Sequence, residues 1–316
     1  MPDTPPRGLL IKLLASGVCH SDQPLLDVEN RPKFNEKYIL GHEGCGEIIR
    51  IGSRVKDVRF KVGDRIALLA VPGCGLDNCS ECSRDLPQLC ADGVHHGIGQ
   101  DGFYAQYVAV DIRAAILLPS GIPSGVVAVA TDAVTTAYHG ITRRAEEDWV
   151  SNALQIVRVI GARVIVSDLR QEKLDSALEI GVPATDIVPV GKSVQDFIEG
   201  SGLQGNIDTV LEFVGEHQTF QDALQIVRPG GKILCIGTLD RINELGRKMG
   251  IRKRLSIIFT YGGQYQDIVE VLDLIAKKII LPQVEMGRLQ DFPEVLRDLR
   301  AGKIKDRVAL VFDTEA

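Results

Sequence analysis

Four cysteines follow one another as Cys74-x4-Cys79-x2-Cys82-x7-Cys90, in a loop that also holds Pro72, Gly73 and Gly75 for sharp turns. Thiolates this close in sequence can converge on one tetrahedral metal, and zinc, redox-inert and well matched to sulfur, is the default guest. A disulfide pair or fortuitous clustering is the competing reading; the lack of a secretion signal favours the metal. A second set is more dispersed. Cys19 stands in Gly17-Val18-Cys19-His20-Ser21-Asp22, and His42 in Gly41-His42-Glu43-Gly44-Cys45-Gly46. A lone histidine is usually just a satisfied polar group. One flanked by glycine, followed by Glu and preceded by a cysteine is a ligand candidate. Asp132 lies in an apolar helical stretch, Ala130-Thr131-Asp132-Ala133, where aspartate is intrinsically unfavourable. Either it caps or breaks the helix, or a metal partners its carboxylate. Catalytic zinc takes three protein ligands and keeps one position open.

The elements that must position these residues differ between the two halves. Up to about Pro119 short apolar runs are broken by glycine (Leu9–Leu14, Gly46–Ile51, Arg65–Leu69, Ala105–Val110), the signature of a small, irregular β domain. After Pro123, helices alternate with short Val/Ile-rich strands: helix Ser124–Ile141, helix Asn152–Ile160, strand Arg163–Ser167, helix Gln171–Ile180, strand Thr209–Phe213, helix Thr219–Val227 and strand Lys232–Ile236. That alternation predicts an α/β domain with a doubly wound parallel sheet. A helix Asp291–Arg300 and a strand Arg307–Phe312 return the tail to the first domain. The expected division is 1–123, 124–282 and 283–316.

The chain has 316 residues, 45% hydrophobic and 25% charged, ordinary for a soluble protein with two cores. Its net charge of −6, with no basic run, argues against nucleic acid as a partner and against a zinc-ribbon nucleic-acid binder. No stretch reaches the roughly 18 apolar residues of a membrane span. Seven cysteines without a signal peptide suit ligands or buried thiols in a reducing cytoplasm.

With these motifs in hand, the chain resembles the zinc-dependent alcohol dehydrogenases of the medium-chain dehydrogenase/reductase family. The run from Gly41 through Gly46 to Gly52 and Val55 matches that family's zinc signature. Gly17–Asp22, Gly97-Ile98-Gly99-Gln100-Asp101-Gly102 and Gly302–Val311 match further blocks. The resemblance implies a chaperonin-10-like, β-rich catalytic domain followed by a Rossmann-type cofactor domain. It implies that Cys19, His42 and Asp132 hold a catalytic zinc, with Glu43 a nearby carboxylate able to approach the metal. Asp22 would orient His42, and Ser21 would accept the substrate hydroxyl proton. Cys74, Cys79, Cys82 and Cys90 would hold a structural zinc. The implied reaction passes a hydride between an alcohol and NAD, giving an aldehyde or ketone, with zinc easing loss of the alcohol proton as it does for water. Relatives often carry a proton-relaying histidine where this chain has Pro24.

Asp168 ends the strand Val164–Asp168, where a carboxylate accepts hydrogen bonds from the adenosine ribose and repels a 2′-phosphate, favouring NAD over NADP. The competing reading is a turn residue capping the next helix. In the family frame Lys173 adds a ribose contact, His20 and Arg307 face the pyrophosphate, Thr136 lies behind the nicotinamide and Gly237 allows close backbone approach. Homo-oligomers, dimers or tetramers, would form through the cofactor domain, with Leu255–Gly263 as the edge.

One feature of the cofactor fold is missing. A Gly-x-Gly-x-x-Gly turn belongs between the first strand and first helix, so that backbone N–H groups meet the pyrophosphate. Here Ile141–Val150 runs straight into Ser151-Asn152-Ala153-Leu154. About a dozen residues of the unit are lacking, and only Trp149-Val150 remain of the strand. Ser151 is left to cap the following helix. Loss of a central strand strands its neighbours, at about 1–3 kcal/mol per unpaired buried backbone group. Several such losses rival the roughly 5–15 kcal/mol that holds a domain together. Relatives also have a strand pair before Leu9–Leu14. The two gaps point to an incomplete or alternatively spliced version of an active enzyme, and keep open a second reading: a non-catalytic zinc-binding relative with impaired NAD binding.

Overall fold

The computed structural model describes residues 1–26, 37–144, 154–155, 161–238 and 242–312. The chain forms two compact units, Met1–Thr135 with Gly262–Ala316, and Thr136–Tyr261. These divisions fall later than residue 123 and earlier than residue 282. The reason is packing: helix Ser124–Val129 lies on strands of the first unit, and helix Tyr265–Ala276 packs against that unit too.

The first unit is organised by strand β1, Gly8–Val18, longer than the Leu9–Leu14 run alone predicts. One edge of β1 pairs antiparallel along most of its length with β2, Glu43–Ile51. β4 (Tyr107–Asp111) pairs with Gly8–Lys12, and β10 (Arg307–Val311) with Ala15–Val18. β3 (Arg65–Leu68) and β5 (Ala115–Leu117) extend the sheet beyond β2, and β9 (Val284–Arg288), not foreseen in the sequence, pairs parallel with β10. Leu9, Ile11 and Leu13, two apart and therefore on one face, join Ile48, Ile66, Leu68, Phe103 and Val108 in the core. Each such side chain contributes about 1.5–3 kcal/mol of burial.

The predicted helix Ser124–Ile141 is helical but not uniform. Ser124–Val129 and Thr135–His139 are α-helical, while Ala130–Val134 and Gly140–Arg144 are wide π-type turns. Threonine hydroxyls feed into the backbone ladder there: Thr135 Oγ1 donates to Ala130 O (2.6 Å) and Thr131 Oγ1 to Ala128 O (2.7 Å). Side-chain intrusion of this kind is a recognised cause of irregular helix.

Among the described residues the second unit holds a parallel sheet of three strands, β6 (Ile207–Glu212), β7 (Val227–Cys235) and β8 (Ser256–Phe259), in that order. Helix His217–Ile226 makes the first crossover and buries Phe220, Ala223 and Leu224 against β7. β7 begins earlier than the expected Lys232 and carries Pro229-Gly230-Gly231 inside it. The predicted strand Arg163–Ser167 does not form. Val166 makes a single parallel bridge to Ile187, through Val166 N to Asp186 O (2.9 Å) and Val188 N to Val166 O (2.8 Å). Among the described residues β6 pairs only with β7, so neither segment has the central strand that a doubly wound sheet places between them. Residues 145–153, where Trp149-Val150 were expected to remain of the first strand and Ser151 to cap the next helix, lie outside the described residues. Of the helix expected over 152–160, Leu154 and Gln155 are described, and both are helical.

Candidate functional site

β1 ends at Val18 and β2 begins at Glu43, and the two strands are antiparallel with Gly17 opposite Glu43. The residue just past one strand and the residue just before the other must therefore meet. They are Cys19 and His42, separated in sequence and brought together just beyond the end of the ladder. The π-type turn Ala130–Val134 supplies Asp132. Metal-ligating atoms of Cys19, His42, Glu43 and Asp132 all lie within 4.8 Å of one another.

The spacings suit zinc. His42 Nε2 is 3.5 Å from Asp132 Oδ2, and Cys19 Sγ is 3.8 Å from that same oxygen. A tetrahedral ion with bonds of about 2.0–2.3 Å separates such ligand pairs by about 3.4–3.6 Å. Ser21 Oγ lies 3.2 Å from both Cys19 Sγ and His42 Nε2. His42 Nδ1 faces Asp22 Oδ1 at 3.3 Å, off the line of a full hydrogen bond, which turns Nε2 to the cluster. Asp22 is fully buried, and its Oδ2 accepts from Cys19 N (3.0 Å) and Tyr104 Oη (2.7 Å). Burial alone lowers the His42 pKa, but Asp132, Asp22 and Cys19 outweigh it and raise the imidazole well above its ordinary value. A histidine held among so many anionic groups marks a place prepared for a cation. Asp132, the carboxylate expected to need a partner in its apolar helix, faces His42 and Cys19 and is 28% exposed on this cluster.

Glu43 is completely buried and ion-paired with Arg307. Burial pushes its carboxyl up to about 7, with the Arg307 charge acting in the opposite direction. A Cβ on Gly17 would fall 1.9 Å from Glu43 Oε2, so only glycine fits opposite this side chain. Oε2 itself has no hydrogen-bond partner, an orphaned buried oxygen on the side of the cluster. Arg307, expected to face the pyrophosphate, is thus engaged with Glu43. His20 is exposed one residue past Cys19.

The second cluster is complete within its own loop. Cys74 Sγ lies 3.8 Å from Cys82 Sγ, and Cys79 Sγ 3.7 Å from Cys90 Sγ, with all four sulfurs within 4.8 Å. Zn–S bonds of about 2.3 Å make tetrahedral edges of about 3.8 Å. All seven cysteines are unpaired, so the disulfide reading fails for this loop. Gly73 (φ +69°) has a conformation favouring glycine, and a Cβ there would also sit 2.7 Å from Cys82 Sγ. The Arg113 guanidinium, anchored on Asp111 (2.8 Å), donates to Gly73 O (3.0 Å) and ties the loop to the sheet.

In the second unit, Asp168 Oδ1 accepts from Arg170 N (2.9 Å) just before helix Gln171–Glu179, whose N-cap is Arg170 with no side-chain cap bond. Lys173 lies in that helix and Thr136 in helix Thr135–His139. Gly237 follows β7, and a Cβ there would sit 2.2 Å from Val214 C, so the two turns touch backbone to backbone. These residues lie on separate elements. Sequence reading missed Tyr104 and His95. Tyr104 donates to Asp22, and burial and the Asp22 charge keep its phenol protonated well above the usual range. His95 is pushed down to about 4 by burial and by the His42 charge. Both flank the Gly97–Gly102 block, the signal that could have drawn attention to them.

Comparison with known proteins places this geometry. Residues 5–120 match the family described as the alcohol dehydrogenase GroES-like domain, and residues 151–277 match the zinc-binding dehydrogenase family. An alcohol dehydrogenase of Geobacillus stearothermophilus is 26% identical, over 96% of this chain and 91% of that protein. The structure of acetophenone reductase from Geotrichum candidum in complex with NAD superposes with a TM-score of 0.86 at 29% identity, covering 98% of this chain and 91% of that one. An alcohol dehydrogenase from Aeropyrum pernix shares the fold, with a TM-score of 0.86 at 22% identity over 98% and 95% of the two chains. With a GroES-like unit carrying both metal clusters and a Rossmann-like parallel-sheet unit beside it in sequence, the chain belongs to the zinc-dependent alcohol dehydrogenases of the medium-chain dehydrogenase/reductase family.

Proposed function

We propose that this protein oxidises an alcohol, or reduces the corresponding aldehyde or ketone, with NAD as hydride partner. The observation that carries the reading is the convergence of Cys19 Sγ, His42 Nε2 and Asp132 Oδ2 at zinc-ligand spacing, with Ser21 Oγ 3.2 Å from two of those residues. Zinc held by Cys19, His42 and Asp132 would supply a Lewis acid that eases loss of the alcohol proton near neutral pH, and NAD would supply the hydride acceptor. Ser21 takes the hydroxyl proton. Asp22 holds His42 in the tautomer that offers Nε2. Arg307 ion-pairs with Glu43, a carboxylate beside the ligand set. Pro24 gives no imidazole three residues past Ser21, so onward passage of the proton would depend on water and the bound cofactor or be slower. Asp168 binds the adenosine ribose and selects NAD; Lys173, Thr136 and Gly237 complete the cofactor contacts.

A specific observation supports a second reading, a zinc-binding relative without NAD affinity: β6 lacks a strand on its outer edge among the described residues, and 163–167 is reduced to one bridge. Calorimetric titration of zinc-loaded protein with NADH separates the two. Saturable micromolar binding, followed by NADH production from a panel of primary and secondary alcohols, supports the dehydrogenase. Folded, zinc-replete protein that binds no NADH leaves only the second. Seven free thiols and the absence, among the described residues, of any helix able to cross a membrane accord with a cytoplasmic enzyme. The exposed Phe259 and Tyr261 at the edge strand β8 accord with a homo-oligomer joined there, a dimer or tetramer.

A further inference from the structure

Tyr104 touches each segment that carries a ligand of the Cys19–His42–Asp132 site, except the helical one. Its hydroxyl lies 2.7 Å from Asp22 Oδ2 and 2.9 Å from Gly17 O, two residues before Cys19. Asp22 Oδ2 also accepts from Cys19 N, while Asp22 Oδ1 faces His42 Nδ1. The phenol ring fills the space against Gly41, next to His42: a Cβ on Gly41 would lie 2.9 Å from ring carbons of Tyr104. Behind it the ring stacks on Phe292, with centroids 4.6 Å apart and planes at 43°. Its backbone N–H donates to Leu40 O (3.0 Å), and that of Phe103 to Gly41 O (2.8 Å), so the stretch bearing Tyr104 is tied to the stretch bearing His42.

The chemistry of Asp22 explains why a hydroxyl belongs there. A buried carboxylate facing an imidazole from only one oxygen can rotate or shift toward other donors. Two donors on Oδ2, one from the Cys19 backbone and one from a phenol, pin that oxygen and leave Oδ1 for His42. A hydrogen bond to a charged acceptor is also stronger than a neutral one. Phenylalanine would keep the packing against Gly41 and Phe292 but lose this constraint.

We propose that Tyr104 is a positioning residue for the metal site: its hydroxyl holds Asp22, which holds His42, so that His42 Nε2 is preset toward Cys19 and Asp132. The inference rests on the zinc-site reading and extends it one layer outward. Groups that orient metal ligands from outside typically change metal affinity by about 10–100-fold when removed.

The test uses the full chain with zinc, chelator competition and cobalt(II) substitution. The parent should hold two metals, and Tyr104→Phe should weaken one of them about tenfold or more. The metal of the four-cysteine loop serves as internal reference and should be unchanged. The cobalt ligand-field spectrum of the weakened site should shift, since histidine orientation has changed. In an Asp22→Asn background the added effect of Tyr104→Phe should vanish, because the two act in series. Full additivity of the two changes, or unaltered affinity and cobalt spectrum in Tyr104→Phe, would overturn the proposal while leaving the zinc site standing. A parent that holds metal only in the cysteine loop would bring down the site assignment itself, and this inference with it. Should Tyr104→Phe prove unstable, Phe292→Leu, which disturbs the ring stack without removing the hydroxyl, distinguishes lost packing from lost hydrogen bonding: unchanged metal affinity in that variant supports the proposal, and an equal loss refutes it.

Discussion

The two units solve the problem of placing a site in opposite ways. In the first, a long central strand is paired on both edges, and the candidate metal ligands sit just past its end, just before its partner, and on one irregular helical turn. Every part of that site is fixed by hydrogen-bonded neighbours within the same unit. In the second, among the described residues, β6 has a strand on one side only and the segment before Asp168 is held by one bridge, so the residues proposed for the cofactor stand on elements tied together by few backbone bonds. The contrast teaches that losing one strand does different damage according to where it falls. A ligand set anchored on a continuous ladder persists, whereas a binding surface assembled across several parallel strands depends on the strand between them.

The sharpest way to break the comparison is to remove the first unit's metal. Cys19→Ser should lower alcohol oxidation about 1,000-fold or more, equivalent to about 4 kcal/mol of lost transition-state stabilisation, with one zinc lost per chain by metal analysis. Normal turnover in this variant would place the chemistry elsewhere. Replacing Cys82 by Ser attacks the other cluster and should destabilise the protein by more than about 4 kcal/mol in urea unfolding, the range associated with a lost structural metal. An unchanged midpoint would show that the loop holds itself without zinc.

A third change addresses the second unit. Asp168→Ala should weaken NADH binding about 10–100-fold and relax the preference against NADP, because a charged acceptor is removed from the ribose contacts. Equal affinity before and after would mean that Asp168 serves only its own turn, the bond to Arg170 N already present. Hydrogen exchange compares the units directly. Amides of Leu10 to Leu14 should be protected close to the global unfolding free energy, and those of Arg163 to Val166 should exchange much faster. Equal protection would mean that the second unit is as cooperative as the first.

The smallest effect is a pH slope. His95, with its pKa lowered to about 4, stays neutral in the folded protein while an unfolded chain takes up a proton near its ordinary value. Its contribution is present above the unfolded pKa and is lost as pH falls from about 6.5 toward 4, by at most about 1.4 kcal/mol per pH unit. Subtracting the stability profile of His95→Phe from that of the parent should isolate this slope. A flat difference would show that His95 titrates normally.

Much of the site was legible before any coordinates. Cys74, Cys79, Cys82 and Cys90 are close in sequence, and a short loop leaves four thiols little choice but to converge. Asp132 was conspicuous because a carboxylate does not belong in an apolar helix without a partner. Other features were hidden by the nature of the contacts. Tyr104 is eighty-two residues from Asp22, and nothing local in Gly102-Phe103-Tyr104-Ala105 says that its hydroxyl meets a buried carboxylate. The strand expected over Arg163–Ser167 has the right β-branched residues, but a strand is made by its neighbours, and local propensity cannot supply them.

Residue identity alone determined the donor chemistry: which side chains can bind zinc, and that the balance of charge is acidic. Tertiary structure decided which of those donors face one another. The antiparallel register that sets Gly17 against Glu43 brings Cys19 to His42, and burial turns Arg307 onto Glu43. The physical reason is range. Donor chemistry and turn preference are properties of one residue and its near neighbours, whereas ladder register and the pairing of buried charges are settled by segments tens to hundreds of residues apart that must share one low-dielectric interior.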